Sequence, residues 1–508
     1  MRKIAMVALL LCVACSGPAV RPASVQPPAP AGEAGAATIT PTDIYARIAF
    51  LASDALRGRD TPSQGLETAA AYIASEYTRL GLQPRGDNGS YLQRYPYAIR
   101  TLLADSVRLA VSVRGQTSAL AYGREMFASA GMPERARGPL VFAGTKFSTD
   151  GADFQGALPV VFIPGSIDRT WRTALNTARN GARRLGANGL IVVLDPSITA
   201  ERMQQASALF STGRGTAATS AVGFVRYDKA RELMRAAGAD LDALVASARS
   251  DAFKPVPLKT MSAELVAPVS EVVHHPPNVV AVLEGSDPEL KNTYVVLSAH
   301  MDHVGVQAPD ARGDSIYNGA DDDASGTSAV VEAAEAFAAL SQRPLRSIVF
   351  LNVSGEEKGL LGSQYFSEHP AVPLSSIVAD INIDMIGRNA PDSVVAIGQD
   401  YSSLGSLTQE VVRNHPELHL TAARDLWPQE RFFFRSDHFN FAKKDIPAIF
   451  FFTGTHEDYH RPSDEVQKIN TDKAARVARL AYYLALEIAS RREPHRWTEQ
   501  GLKEVRAL

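Results

Sequence analysis

"TYVVLSAHMD", residues Thr293–Asp302, is an apolar run that stops in a histidine and an aspartate. The run is continuous rather than alternating, so it reads as a strand buried on both faces, as in an α/β sheet covered by helices. Three further segments repeat the pattern. "SIVFLNVSGEE" ends in Glu356 and Glu357, "SIVADINIDM" carries Asp384 near its end, and "IPAIFFFTGTHEDYH" runs into Asp458, Tyr459 and His460. In open α/β sheets, ligands bind beyond the carboxyl ends of the strands. One charged residue at a strand end is ordinary, but four strands ending this way point to a shared site. The expected fold class is therefore α/β: a mostly parallel central sheet with helices on both faces and a smaller inserted α/β or β-rich domain.

Between the first two strands lies "YNGADDDASG", Tyr317–Gly326, with Asp321, Asp322 and Asp323 in a row. Alone it reads as a polar turn. Beside the four strand ends it reads as a cation site. In "HMD", residues two apart at an extended strand end point the same way. The Asp302 carboxylate could then accept from the second ring nitrogen of His300 and fix its tautomer. In "EE", neighbouring carboxylates diverge, so one can bind metal while the other faces substrate. Without metal, Asp322, Asp384 and Glu357 would repel one another in a partly buried cleft. With one hydroxide they balance two divalent ions. Histidine with carboxylate suits zinc, and manganese or cobalt can substitute.

The chain has 508 residues, more than one ordinary domain. Its hydrophobic content of 45% and charged content of 21% suit a globular protein, and a formal net charge of −3 gives no reason to expect nucleic acid as a partner. Residues 1–15, "MRKIAMVALLLCVAC", read as a signal peptide: a positive start, then an apolar run too short to span a bilayer. "CVAC" resembles a bacterial lipobox, which implies a lipid anchor on Cys15, although Cys12 stands where an aliphatic residue is usual. Plain cleavage near Ala14 or Ala23 is the alternative. Either way the protein is expected to be exported, as a periplasmic or outer-membrane lipoprotein or as a secreted protein, with no disulfide in its body. Residues 16–38 read as a disordered Pro/Ala-rich tether. Residues 39–137 begin the main domain with a helix capped by Thr40, with Pro41 and Asp43 in its first turn. Residues 138–254, with "LPVVFIPG" and "GANGLIVV", resemble the protease-associated domain of exported peptidases. Residues 255–492 carry the candidate site, and 493–508 form a tail. "NVVAVLEG" and "TYVVLSAH" are expected to pair through a turn at Gly285–Pro288.

The set "HMD", "NGADDDASG", "SGEEKGLLGS", "IDM" and "DYHRPSD" resembles the co-catalytic di-zinc exopeptidase family of bacterial leucyl aminopeptidases and glutamate carboxypeptidase. The resemblance covers Asn278 to Ala489 and, more loosely, Ile39 to Tyr97. It implies the phosphorylase/hydrolase-like α/β fold and two zinc ions per chain. His300 and Asp384 would hold one ion, Glu357 and His460 the other, and Asp322 would bridge them. Asp321 and Asp323 would shape the turn, with a cis peptide bond after Asp322. Glu356 would be the general base, and Tyr459 either a donor to the developing oxyanion or a packed loop residue. The implied activity is an aminopeptidase acting on peptides with a free N-terminus.

Alternatives stay open at this point. Arg388, Arg435 and Arg461 could recognise a substrate carboxylate, as in a carboxypeptidase or dipeptidase. Glutaminyl cyclases share the fold but usually use a single zinc, and a receptor-like binding module would not need the complete residue set. His303 and His456 are expected near the site but outside the ligand set. Phe432, Phe433 and Phe434 read as core or as a specificity pocket, and the sequence leaves oligomeric state undetermined.

Overall fold

The structure, a computed structural model, describes residues 32–148, 153–215 and 220–506. The signal segment, both cysteines and most of the tether lie outside the described residues. The end of the tether departs from expectation, because Glu33–Ala36 form a short helix, α1. A Cβ on Gly35 would lie 2.4 Å from Tyr482 Oη and 2.5 Å from the Ala336 carbonyl oxygen. The missing side chain is what lets this backbone pack closely, so a composition that reads as tether is here a docking segment.

Helix α2 (Pro41–Leu51) starts as its sequence dictates, with the Thr40 hydroxyl accepting from Asp43 N at 3.1 Å. Helix α3 (Gln64–Arg79) is capped by Ser63. Buried Arg47 on α2 pairs with Glu332 on α4 (Gly326–Ala338), tying the N-terminal helices to the core. The same domain also contains α5 (Leu361–Glu368), α6 (His438–Ala442) and α7 (Thr471–Ser490), with a further helix at Ser403–Asn414.

The main sheet contains β1 (Gln83–Pro84), β2 (Leu92–Arg94), β3 (Pro277–Leu283), β4 (Tyr294–His300), β5 (Ser347–Val353), β6 (Ile377–Ile383), β7 (Ser393–Ile397), β8 (Thr421–Ala423) and β9 (Ala448–Phe452). Its order is β1–β3–β5–β4–β6–β9–β7–β8, with β2 also pairing β3. Strands β5, β4, β6 and β9 run parallel, and antiparallel pairs flank them. Alternate residues face opposite layers. Val295 and Leu297 join the cluster under α2, α3, α4 and α7, while Val296 joins Phe366 of α5 and Phe441 of α6. Burial on both faces explains the unbroken apolar runs. The expected β3–β4 hairpin does not form, because β5 lies between them and pairs with both.

A second sheet of eight strands is built from residues 108–266, with its own hydrophobic clusters. The insertion therefore extends beyond the expected 138–254 on both sides. Strands Arg108–Val113 and Gln116–Leu120 form a hairpin around Arg114 and Gly115, both at positive φ, a two-residue turn that the sequence reading passed over. Val256–Val266 then pairs with both Arg108–Val113 and Arg135–Gly144. The chain enters and leaves this unit along Tyr97–Leu102 and Val269–His274, which pair antiparallel. The C-terminal segment carries a helix, Glu499–Arg506.

Candidate metal centre

The parallel strands β4, β5, β6 and β9 bring their carboxyl ends to one edge, and the acids and histidines meet there. Asp322 lies at the centre. Its Oδ1 is 3.3 Å from His300 Nε2, while its Oδ2 is 3.1 Å from His460 Nε2 and 3.6 Å from His303 Nδ1. Asp384 Oδ1 completes the first group at 3.5 Å from His300 Nε2. Glu357 Oε1 completes the second, 3.1 Å from His460 Nε2 and 3.0 Å from His303 Nδ1. One carboxylate thus offers an oxygen to each of two ligand sets. The Asp322–Asp323 peptide bond is cis.

The flanking aspartates are held by backbone. Asp323 accepts from the N–H groups of His300, Gly326 and Met385. Asp321 accepts from Gly387 N at 2.6 Å and lies 3.3 Å from His456 Nε2. The Asp464 carboxylate receives the N–H groups of both Asp321 and Asp322. Every backbone donor aimed at this loop helps fix where Asp322 points.

Asp302 does not act on His300 as its spacing suggested. The Nδ1–H of His300 donates to the backbone carbonyl of Asp302 at 3.1 Å, whereas the Asp302 carboxylate is 3.8 Å away. The strand ends at His300, so the alternation behind the i, i+2 argument stops there. The carboxylate instead receives the Thr61 hydroxyl at 2.9 Å and Glu356 N at 3.2 Å, and so positions the loop that carries Glu356. The carbonyl can only accept, which puts the proton of neutral His300 on Nδ1 and leaves Nε2 free to ligate.

Electrostatics follow from crowding. Burial opposes the imidazolium of His460, yet Asp322 and Glu357 push its pKa up to about 10. Burial likewise opposes ionisation of Glu357 and Asp322 repels it, but His303 and His460 hold its carboxyl down at about 2. Burial and the neighbouring Glu357, Asp437 and Asp384 push Glu356 well above the usual carboxylate range, against the pull of His300. Burial, then the ring of carboxylates, raises Tyr459 and keeps its hydroxyl protonated.

The donor set fits metal. Among the described residues, Glu357 Oε1, His460 Nε2 and both ring nitrogens of His303 are buried without a hydrogen-bond partner. Four ligand atoms from His303, Asp322, Glu357 and His460 lie within 4.8 Å of one another. Oxygen and imidazole donors at this spacing suit zinc. Beside them a small cleft is lined by His300, Asp322, Asp384, Glu356 and Tyr459, together with Phe432, Arg435 and Phe452. Phe433 does not line the cleft but belongs to the same buried cluster as Phe432 and Phe452. Tyr459 stacks on His460 with ring centroids 4.0 Å apart.

Residues 278–485 match the family model described as Peptidase family M28. The chain carries a peptidase family M28 domain. A probable leucine aminopeptidase of Arthroderma otae is 27% identical over 221 residues, covering 42% of this chain and 58% of that protein. A probable zinc metalloprotease of Pyrenophora teres f. teres is 38% identical over 112 residues, covering 22% of this chain and 23% of that protein. The chain thus spans less than two thirds of the length of these curated relatives. An aminopeptidase from Aneurinibacillus sp. strain AM-1 shares the fold, with a TM-score of 0.51, 19% identity, and coverage of 92% of this chain and 98% of that one.

Two residues that shape the M28 site escaped sequence reasoning. His303 was expected outside the ligand set, yet it is fully buried and faces Glu357 and Asp322. Arg59 is also buried, and it donates to the carbonyls of Met301, Asn318 and Gly319, clamping the two loops that carry His300 and Asp322. The only signal for either was proximity to a motif, "HMDH" and "LRGR".

Proposed function

We propose that this protein is an exported, zinc-dependent aminopeptidase of family M28 that removes N-terminal residues from peptides using two zinc ions. The observation that carries the reading is the split carboxylate of Asp322 beside a cleft into which Glu356 projects. Bound zinc would activate water and polarise the scissile carbonyl. His300, Asp384, Asp322, Glu357 and His460 would hold it. Among the described residues Glu356 has no side-chain hydrogen-bond partner, and its raised pKa suits a carboxylate that takes a proton from the attacking water and returns it to the leaving amine. Asp302, through Glu356 N, holds that loop in place. The Tyr459 hydroxyl donates to the oxyanion as charge develops there.

The direction of cleavage follows from charge. The cleft wall presents Glu356 and Asp384, which attract a free α-amine and repel a carboxylate. Arg388, one candidate for binding a substrate carboxylate, is already paired with Asp458 at 2.9 Å. Arg435, which lines the cleft over the Phe432 ring at 4.7 Å and lies 3.5 Å from Glu430, supports the carboxypeptidase reading as the alternative. A panel of free, N-acetylated and C-amidated peptides separates the two. Acetylation should nearly abolish cleavage and amidation should leave it intact, whereas the reverse pattern overturns the aminopeptidase reading. Export rests on the signal-like segment, and the lipid anchor on Cys15 is tested by labelling cells with radioactive palmitate. Among the described residues no helix is long and apolar enough to cross a membrane.

A further inference from the structure

We propose that His303 is a fourth protein ligand in the Glu357–His460 subsite, so that the two metal positions are unequal: one closed and tight, the other open and exchangeable. This rests on the metal-dependent reading above. A tetrahedral ion bonded at about 2.0–2.1 Å has ligand–ligand edges of about 3.3–3.4 Å. The four edges joining His303 and His460 to Asp322 and Glu357 measure 3.6, 3.0, 3.1 and 3.1 Å. The two imidazole rings stand at 80° to each other with centroids 5.4 Å apart, so each presents a nitrogen without stacking.

The fold supplies room for that ring. Gly319 has φ +61, and a Cβ there would lie 2.5 Å from His303 Cγ. A left-handed glycine is the residue that can hold this backbone and leave the space empty. A buried imidazole with no hydrogen-bond partner on either nitrogen is costly unless something else satisfies it.

An independent observation concerns access. The cleft is lined by His300, Asp322 and Asp384 but not by His303, Glu357 or His460. The subsite facing the cleft has three protein ligands and keeps a position for water or substrate. The Glu357–His460 subsite has four, the number typical of closed sites, with His303 fully buried and the His460 side chain 36% exposed.

The test is metal retention, read without substrate. Wild-type protein loaded with zinc and dialysed against a mild chelator should release one ion readily and keep the second. His303→Gln, which conserves bulk, should lose that retained ion, with affinity reduced by about 100-fold or more, beyond the 10–100-fold typical of residues that only support ligands. His456→Gln is the control, since His456 is comparably buried and lies 3.3 Å from Asp321 but outside the ligand set. It should keep the ion. If His303→Gln fails to fold, X-ray absorption at the zinc edge of the one-zinc wild type decides: two imidazoles per zinc are expected, and one overturns the proposal. A folded His303→Gln that retains zinc like wild type also overturns it. Retention as expected in a protein that cleaves no peptide would sink the peptidase reading and leave this one standing.

Discussion

Replacing Glu356 with glutamine tests the division of labour between two adjacent glutamates. The exchange keeps shape and removes the proton acceptor. No other unengaged carboxylate in the cleft can replace it: Asp384 Oδ2 receives the Ser436 hydroxyl at 2.8 Å, and its Oδ1 faces His300. General acid–base catalysis contributes about 10²–10⁴-fold. At about 1.36 kcal/mol per tenfold, the variant should lose about 3–5 kcal/mol of transition-state stabilisation. Its zinc content should be unchanged, because Glu356 belongs to neither ligand group. Glu357→Gln should do the opposite and lose zinc first, since Glu357 Oε1 is the atom that His303 and His460 approach.

Stability gives a second readout with a definite sign. Burial and neighbouring carboxylates raise Glu356 in the folded, metal-free protein, so its ionised form opposes folding. That penalty is absent below the unfolded pKa of about 4.3 and grows as pH rises above it. Metal-free Glu356→Gln should therefore gain on metal-free wild type between acid and neutral pH, as measured by thermal unfolding. The assay for function is kcat/KM on a leucyl chromogenic substrate beside elemental zinc analysis. Turnover within tenfold of wild type at full zinc occupancy would remove Glu356 from the proton's path, and loss of zinc would place it among the ligands.

Three further outcomes follow from the same geometry. Tyr459→Phe removes a hydroxyl held protonated at the cleft and should lower kcat by about 10²-fold with little change in KM; an unchanged kcat would make Tyr459 a packing residue. Chelation should lower the thermal midpoint by about 5–10 °C, reversed by zinc, because an ion present at about 100 times its dissociation constant contributes about 2.7 kcal/mol. Asp458 anchors the loop bearing Tyr459 and His460; although burial works against its ionisation, Lys468, Ser463 and Arg388 hold its carboxyl well below the usual range. Because its folded pKa is depressed, Asp458→Asn should destabilise fully at neutral pH, and the deficit should shrink as pH falls below about 4 toward the folded value.

The four strand ends were legible in the sequence because burial on both faces leaves an unbroken apolar run, and a charge placed after such a run is conspicuous. Asp322 was legible only in company, since three aspartates between glycines are ordinary turn chemistry. The placement of β5 between β3 and β4 was not legible, because sheet order is decided by packing between segments far apart in the chain. The role of His303 depends on the left-handed turn at Gly319 and on Arg59, which lies 242 residues before Met301. No local pattern encodes a contact of that range. Asp302 misled for the opposite reason: the local rule was sound for a strand, but the strand had already ended.

The position of the insertion bears on the site through one loop. It leaves the main sheet after β2 and returns at β3, where Arg94 pairs with Pro277. β3 runs antiparallel to β5, with Val279 opposite Asn352, so both roots sit at the carboxyl edge, level with the loop that carries Glu356 and Glu357. Side chains join them: the hydroxyls of Tyr95 and Ser354 are 3.0 Å apart, Asn278 Oδ1 accepts from Ser354 N at 3.1 Å, and Asn278 Nδ2 donates to the Gly362 carbonyl at 2.9 Å. Gly355, at φ +71, packs against the Tyr95 hydroxyl, where a Cβ would come within 2.5 Å. The residues that start and end the insertion are thus among those that fix the backbone just before Glu356. A domain added at this edge is constrained to preserve Tyr95 and Asn278 geometry, because a shift there is passed directly to Glu356; if Glu356 moves the proton as proposed, a displacement of about an ångström would cost about 10²-fold in rate.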